Sequence, residues 1–223
     1  MRINKYIAKC GICSRRQADL LINSKKIKIN GKIVTNLATI VSPSDKVSFN
    51  DKILEANKAE LYIFYKPRGY INSHSDPQNR NTIFSLLPEK LANFHSIGRL
   101  DYNSEGLLLL TNDGELKRKY ELPKNNFKRV YKVRIFGQIS EEHINKLAKG
   151  IKIENIQYRP IIVKVIRKST NSWLEITLTE GKNREIRRSL EFLGYQVNRL
   201  IRIKYANYEI SDLKIAEYRK TDI

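Results

Sequence analysis

Four consecutive leucines, Leu107–Leu110, constrain the fold of this chain more than any other feature of its sequence. An apolar run of this length that is bounded by turn residues is typical of a buried β-strand. It follows a loop that starts at Gly98 and carries Asp101, and it ends at an Asn-Asp-Gly turn. A buried strand holds such a loop rigidly and can therefore present a carboxylate. On these residues alone, an aspartate beside glycine is more often a turn or capping residue than a nucleophile.

The charge of the chain indicates a polyanionic partner. Lysine and arginine number 42 among 223 residues, against 23 acidic residues, which gives a net charge of +19. An excess of this size attracts nucleic acids or anionic membranes. No apolar run reaches the 18 or more residues of a membrane-spanning helix, and residues 1–5 lack a signal-peptide core, so we expect a cytoplasmic protein without a membrane partner.

The cysteines and histidines do not form a recognisable metal site. Cys10 and Cys13 make a single C-x-x-C, and His74, His95 and His143 are scattered along the chain. A zinc site needs about four ligands, and a redox motif needs a thioredoxin-like βαβ context. We therefore predict no metal and interpret both cysteines as small packing side chains.

Residues 1–57 are predicted to form a small basic domain with eleven basic and four acidic residues. Ile3 and Ile7 share one helical stripe, and Ser14 with Gln17 has the form of a capping box that begins a second helix. The Asn30-Gly31 pair then predicts a β-hairpin, and a further short strand follows around residues 47–49. The rest of the chain, residues 60–223, mixes strands and helices without a βαβ rhythm. We therefore expect an α+β fold with a mainly antiparallel sheet and flanking helices. Its predicted strands cover residues 61–65, 129–136, 161–165 and 173–179, and its predicted helices cover residues 140–149 and 184–193.

The first domain resembles the alpha-L RNA-binding domain first described in a ribosomal small-subunit protein. The resemblance rests on GICSRRQAD followed by INGK, in the form found in RNA-modifying enzymes. It implies that Arg15 and Arg16, at the start of the second helix, bind RNA phosphates, which a helix N-terminus also favours. The alternative is an ordinary solvated basic face.

Over almost its whole length, the chain resembles the bacterial ribosomal RNA pseudouridine synthases that carry such a domain. The motifs occur in the family's order: KPRG, GRLDYNSEGLLLLTNDG, the basic-aromatic VYKV, TEGKNREIRR and VNRLIR. Several motifs in order are far more specific than any one of them. FYKPRGYINSHSDP and RLIRIKY are most similar to the large-subunit branch, with the small-subunit branch as the alternative. The segment after KPRG departs from the family's usual apolar pattern.

The resemblance implies a role for each motif residue in converting uridine to pseudouridine without a cofactor. Asp101 is the expected nucleophile, and Arg187 is its expected guanidinium partner. Tyr131 is expected to stack on the target uracil near its C5 proton, although tyrosines are common in strands and in cores. Arg99 is expected to face RNA or to displace the base, and Leu200 is expected to pack beside the site.

Further basic residues are expected to bind RNA. They stand at the start of the last predicted helix and on the strand after it: Lys182, Arg184, Arg188 and Arg202. Asn183 is a candidate cap of that helix, and a solvated face balanced by glutamates is the alternative for its basic residues. The expected partner is ribosomal RNA, with 23S RNA preferred, or a pre-ribosomal particle. We expect the protein to be a monomer.

Two other functional classes stay open at this point. One is a non-catalytic RNA-binding assembly factor on the same scaffold, although Asp101, Tyr131 and Arg187 are all present. The other is a base-removing hydrolase, which normally needs two carboxylates and a positioned water, whereas the motif offers one aspartate and a tyrosine.

Overall fold

A computed structural model describes residues 1–223 and places them around two main β-sheets, a small one near the N-terminus and a large one in the rest of the chain. The expected α+β architecture is confirmed. A small helical and hairpin module comes first, and a larger mixed sheet with flanking helices comes second. All neighbouring strands in the larger sheet are antiparallel except one pair.

The N-terminal module packs two helices on a four-stranded sheet of order β2-β1-β3-β4. The predicted capping box is present, because Ser14 Oγ accepts from the Gln17 N–H at 3.3 Å and Gln17 Oε1 accepts from the Ser14 N–H at 3.0 Å. The predicted hairpin turns at Asn30 and Gly31, both with positive φ. Cys10 and Cys13 pack against the core of this module as free cysteines. The elements are α1 (Ile3–Lys9), α2 (Arg15–Asn23), β1 (Ile27–Ile29), β2 (Lys32–Ile33), β3 (Val47–Phe49) and β4 (Lys52–Ile53).

The second module contains nine strands of one sheet, one separate hairpin and three helices. Its elements are β5 (Leu61–Lys66), β6 (His95–Ile97), β7 (Glu105–Thr111), α3 (Gly114–Glu121), β8 (Arg129–Ile135), α4 (Glu141–Ala148), β9 (Lys152–Ile153), β10 (Ile156–Gln157), β11 (Ile162–Arg167), β12 (Trp173–Leu178), α5 (Glu185–Phe192), β13 (Val197–Tyr205), β14 (Tyr208–Glu209) and β15 (Tyr218–Thr221). Three short 3-10 turns lie at Ile83–Leu86, Glu89–Leu91 and Pro123–Asn125.

The leucine strand lies near the middle of the large sheet. The sheet order is β11-β12-β8-β13-β7-β5-β15, with β14 beside β13 and β6 beside β7. Every residue of β7 is buried, so the strand predicted from the leucine run is confirmed. Leu107 and Leu109 enter one apolar cluster and Leu108 and Leu110 enter another, as alternation along a strand requires.

β7 meets β13 in the one parallel pairing of the sheet, and a glycine makes this approach possible. Gly106 pairs with Arg202 and has a φ of +106°. A Cβ at this position would lie 2.3 Å from the carbonyl oxygen of Arg202 and 2.7 Å from its amide nitrogen. Only a residue without a side chain lets the two backbones come this close.

Two local predictions were wrong. The Asn-Asp-Gly segment after β7 is not a plain turn, because the Asp113 side chain accepts from the N–H groups of Glu115 and Leu116 and begins α3. Asn183 does not cap α5. Arg184 occupies the N-cap position with a φ of +50°, and no side chain caps the helix there.

The two modules touch where α1 meets the start of α3. Lys5 forms an ion pair with Glu115, and the Lys9 ammonium lies 3.8 Å from the Asp113 carboxylate. At the end of the first module, the Asn57 N–H donates to the Lys9 carbonyl at 3.2 Å. Exposed pairs of this kind contribute little energy individually.

Candidate active site

A buried lysine binds the backbone of the loop that carries Asp101. Lys66, at the end of β5, has no exposed surface, and its Nζ donates to the carbonyls of Pro67, Asp101 and Ser104 at 2.9–3.2 Å. Burial lowers the pKa of this ammonium to about 8, although Asp101 and Glu105 act in the opposite direction. Three carbonyl acceptors use the three donors of the ammonium, and two of them, at Asp101 and Ser104, belong to the loop.

Arg187 holds the same loop from the side of α5. Its Nη2 donates to the Asn103 carbonyl at 2.9 Å and its Nη1 to the Val197 carbonyl at 3.2 Å. Burial lowers the pKa of this guanidinium, and the charge of Asp101 partly offsets that effect. The geometry differs from the expected direct pair, because no ion pair within 4 Å joins Arg187 to Asp101. One guanidinium nitrogen is thus bonded to the backbone of the loop that carries the carboxylate, while Nε is buried without a partner.

Asp101 opens onto a cavity of about 530 Å³ between the large sheet and α5. Its carboxylate makes no hydrogen bond and no ion pair within the chain, whereas its carbonyl is bonded to Lys66. The backbone is therefore restrained while the carboxylate oxygens are free to meet another molecule. Most of the residues predicted for the site lie in this cavity wall: Arg99, Asp101, Tyr131, Lys182, Arg184, Arg187, Leu200 and Arg202.

Tyr131 lies in the floor of the cavity on the central strand β8. The side chain is 7% exposed, and in the sheet the residue pairs with Ile176 on one side and Arg202 on the other. It belongs to the main apolar cluster together with Leu100 and Leu200. The ring is thus both part of the core and part of the cavity wall.

Three of the residues predicted to bind RNA lie outside the cavity, and a fourth is buried in its wall. Arg188 is exposed on α5 and does not line the cavity. Arg15 and Arg16 are exposed at the start of α2 in the N-terminal module, where we expected them. Arg202 is 2% exposed, so any contact that it makes with RNA lies inside the cavity and not at the protein surface. Its strand runs through the middle of the sheet, where alternate side chains point inward.

Charges in the cavity wall favour an anionic ligand. Seven of the lining residues are basic and four are acidic. The exposed basic residues Arg99, Lys182 and Arg184 lie among them, so they can meet an RNA backbone at the cavity wall.

Sequence reasoning missed a pair of buried carboxyls in the same wall. Glu180 and Glu185 are 7% and 3% exposed. Burial acts to raise the pKa of Glu180, but the Arg159 N–H and the Lys182 ammonium outweigh it and hold the pKa below its ordinary value. Burial, with the neighbouring Glu180 charge, raises the pKa of Glu185 to about 7. A glutamate on a basic helix is ordinarily solvated, so only the tertiary structure reveals this environment.

Lys66 and the Arg199–Glu105 pair were also missed as parts of the site. KPRG was visible as a motif, but no sequence signal shows that the lysine binds the Asp101 loop. Arg199 on β13 holds Glu105 at 2.6 and 3.1 Å through two nitrogens, and Glu105 directly follows the loop.

No group of three or more histidine, cysteine, aspartate or glutamate side chains could hold a metal ion. None of the helices has the length and apolar character needed to cross a lipid bilayer.

Two family models match the chain. The model for RNA pseudouridylate synthase matches residues 60–192, and the model for the S4 domain matches residues 1–47. The first covers the strands of the large sheet up to β12, the Asp101 loop and most of the cavity wall. The second covers α1, α2 and the first hairpin.

Relatives and one solved structure match over nearly the full chain. An RNA pseudouridine synthase of Rickettsia bellii is 48% identical over 221 residues, which cover 98% of this chain and 96% of the relative. The ribosomal large subunit pseudouridine synthase B of Bacillus subtilis is 36% identical and aligns over 98% of this chain and 91% of its own. A crystal structure of a pseudouridylate synthase superimposes with a TM-score of 0.72 at 28% identity, covering 100% of this chain and 96% of the other.

Proposed function

Because this chain belongs to the RNA pseudouridylate synthase family, we propose that it isomerises one uridine of 23S ribosomal RNA with Asp101 as the nucleophile. Membership makes it an isomerase with an RNA-binding S4 domain. The observation that supports the nucleophile is the placement of Asp101. Its backbone is clamped by Lys66, and its carboxylate is unbonded in a basic cavity.

The reaction moves the uracil from an N1–C1′ bond to a C5–C1′ bond. The N1–C1′ bond breaks, C5 supplies the electron pair of the new bond, C5 loses its proton and N1 gains one. A carboxylate suits this exchange because it can attack either the sugar carbon or the base and then leave again. No net oxidation occurs, so the isomerisation requires no redox cofactor.

The other cavity residues have supporting roles in this proposal. Tyr131 provides a flat ring on which the uracil stacks and a phenol near the C5 proton. Arg187 positions the Asp101 loop through the Asn103 carbonyl rather than by pairing with the carboxylate. Leu200 packs beside the base.

The target uridine has to leave its stack to enter the cavity, and basic residues at the wall are placed to hold the surrounding RNA. We assign phosphate or base-displacing contacts to Arg99, and phosphate contacts to Lys182, Arg184 and the exposed Arg188. A separate RNA-binding domain, proposed as residues 1–57, adds a second contact area through Arg15 and Arg16. The catalytic domain is proposed as residues 60–223.

The preference for 23S RNA rests on the Bacillus subtilis relative, whose name states large-subunit activity, and on its near-complete alignment with this chain. A substrate of this kind is either free ribosomal RNA or a pre-ribosomal particle. The 16S RNA of the small subunit is the alternative that mapping of the modified site distinguishes.

The test is tritium release from ribosomal RNA labelled at uracil C5. We expect the wild type to release tritium, and we expect Asp101→Asn to release none while binding RNA with similar affinity. Isomerisation has to exchange the C5 hydrogen, whereas RNA binding and base hydrolysis do not require it. If Asp101→Asn retained activity, the nucleophile assignment would be wrong. If the wild type released nothing from free RNA or from assembly particles, an RNA-binding assembly role would replace the proposal.

A further inference from the structure

Arg202 is a buried cation in the wall of the Asp101 cavity that has no anionic partner. The residue is 2% exposed, and its one side-chain hydrogen bond runs from Nε to the Leu107 carbonyl at 2.7 Å. Its Nη2 is enclosed and has no acceptor within the chain. The residue nevertheless lines the cavity together with Asp101.

Burying an unpaired guanidinium in this position destabilises the folded protein. Removing a cation from water costs several kcal/mol unless an anion or several acceptors replace the solvent. No carboxylate lies within 4 Å of Arg202, and the chain offers only the Leu107 carbonyl and the ring of Tyr205, whose centroid is 5.0 Å away. The side chain is therefore undersatisfied until a further acceptor arrives.

The surrounding sheet holds Arg202 rigidly beside the predicted reacting groups. The residue pairs with Tyr131 on β8 and with Gly106 on β7, and it lies two residues after Leu200 on the same face of β13. Because Gly106 has no side chain, β7 lies directly against the Arg202 backbone. A donor fixed in this way needs no reorganisation when charge develops nearby, which is the condition for strong electrostatic stabilisation.

We propose that the Arg202 guanidinium binds a carbonyl oxygen of the target uracil and stabilises the negative charge that the base acquires during isomerisation. The proposal rests on the proposed function. If Asp101 attacks C1′, the N1–C1′ electron pair leaves with the base, and its charge spreads over N1, O2 and O4. If Asp101 attacks the base at C6, the C5–C6 electron pair moves towards C5 and O4. Negative charge reaches O4 in both courses.

A backbone phosphate is the less suitable partner for Arg202. Phosphates remain at the surface when a base leaves its stack, and exposed arginines such as Arg99 and Arg184 are available to bind them there. A flat base that enters the cavity beside Tyr131 and Leu200 reaches deeper. The acceptor that such a base brings is a carbonyl oxygen.

The first test compares Arg202→Met with the wild type in single-turnover tritium release. We expect the rate constant to fall about 100-fold or more, as for the loss of one preorganised donor, while the RNA Kd stays within about threefold. Lys204→Met is the matched control, because it removes a positive charge from the same strand that is paired with Glu209 outside the cavity. We expect the control to retain its rate. A folded Arg202→Met variant with a rate near that of the wild type would overturn the proposal, as would a loss confined to RNA affinity.

The second test leaves the protein unchanged and replaces one uracil oxygen with sulfur, a weaker hydrogen-bond acceptor. RNA with 4-thiouridine or 2-thiouridine at the mapped target is assayed with the wild type and with Arg202→Met. If Arg202 binds O4, the 4-thio substitution slows the wild type more than the variant, and coupling at O2 would show the same contact at the other oxygen. Equal slowing of both proteins by each thio substrate would refute the contact. If the methionine variant does not fold, Arg202→Lys is assayed with the same thio-substituted RNAs in its place. Tritium release by the wild type from unsubstituted RNA distinguishes a failure of this proposal from a failure of the proposed function.

Discussion

Replacing Glu185 with glutamine removes an ionisable group from the cavity wall while keeping the size of the side chain and its hydrogen bond. Glu185 Oε2 accepts from the Lys182 N–H at 2.9 Å, and an amide oxygen can accept in the same way. Its Oε1 is buried without a partner, and the carboxyl is 3% exposed. Burial raises its pKa to about 7 from an ordinary 4.5. The neutral acid is therefore the form that the fold favours.

The raised pKa makes stability depend on pH in a definite direction. Between pH 4.5 and about 7 the folded protein holds this proton more tightly than the unfolded chain, so the free energy of unfolding falls as pH rises. The stability that the protonated Glu185 carboxyl contributes is fully present below pH 4.5 and is lost above pH 7. At about 1.4 kcal/mol for each pH unit, the whole loss is about 3 kcal/mol. Glu185→Gln has no proton to lose at this position.

We therefore expect the free energy of unfolding of Glu185→Gln to rise by about 3 kcal/mol relative to that of the wild type as the pH increases from 4.5 to 8. Urea unfolding at a series of pH values measures this, and the single tryptophan, Trp173 on β12, reports on the sheet. Glu191→Gln on the exposed side of α5 is the control and should run parallel to the wild type. A constant difference between Glu185→Gln and the wild type at all pH values would show that the buried carboxyl ionises like an exposed one.

Three further predictions test the scaffold and the RNA contacts. Gly106→Ala should destabilise the fold by about 3 kcal/mol or more, since its Cβ would overlap the Arg202 backbone at a strained φ, whereas Gly114→Ala at the open start of α3 should be nearly neutral in the same urea unfolding. Lys66→Met should slow tritium release about tenfold or more with little change in RNA Kd, because three carbonyls around the Asp101 loop lose their donor; an unaltered rate would exclude a positioning role. Arg15→Ala combined with Arg16→Ala should weaken RNA binding and reduce the slope of log K against log salt by roughly 1 to 2, and an unchanged slope in a KCl titration would argue against phosphate contacts by either arginine.

Local signals in the sequence were sufficient for much of the fold. The capping box at Ser14 and Gln17 and the hairpin turn at Asn30-Gly31 depend on residues two to four positions apart, so the sequence determines them almost alone. The leucine run of β7 was similarly direct, because a wholly apolar strand has no stable place outside a core. In α3 the same reasoning failed, since an aspartate such as Asp113 suits both a turn and a helix N-cap, and only the conformation of the residues after it distinguishes the two.

The composition of the cavity wall was also predictable, because the motifs name the residues and their order. Asp101, Tyr131, Arg187 and Leu200 come from four separate segments, and the fold brings all of them to one cavity. Their proposed chemical roles remain predictions. The surroundings of each side chain could not be read from the motifs, since Arg187 binds the loop backbone rather than the Asp101 carboxylate.

What the sequence by itself determined is the family, the two modules and the motif residues that meet in one cavity. Only the tertiary structure decided which charged side chains are deprived of water. Arg202 looked like one more basic residue for RNA, and Lys66 and Glu185 had no assigned task. In the folded protein, however, Arg202 is buried without a counter-ion, and burial raises the pKa of Glu185. The burial of a side chain depends on packing between elements that are distant in the sequence, such as β7 against β13. A local sequence pattern contains no information about that packing, and so it does not show which charged groups lose their water.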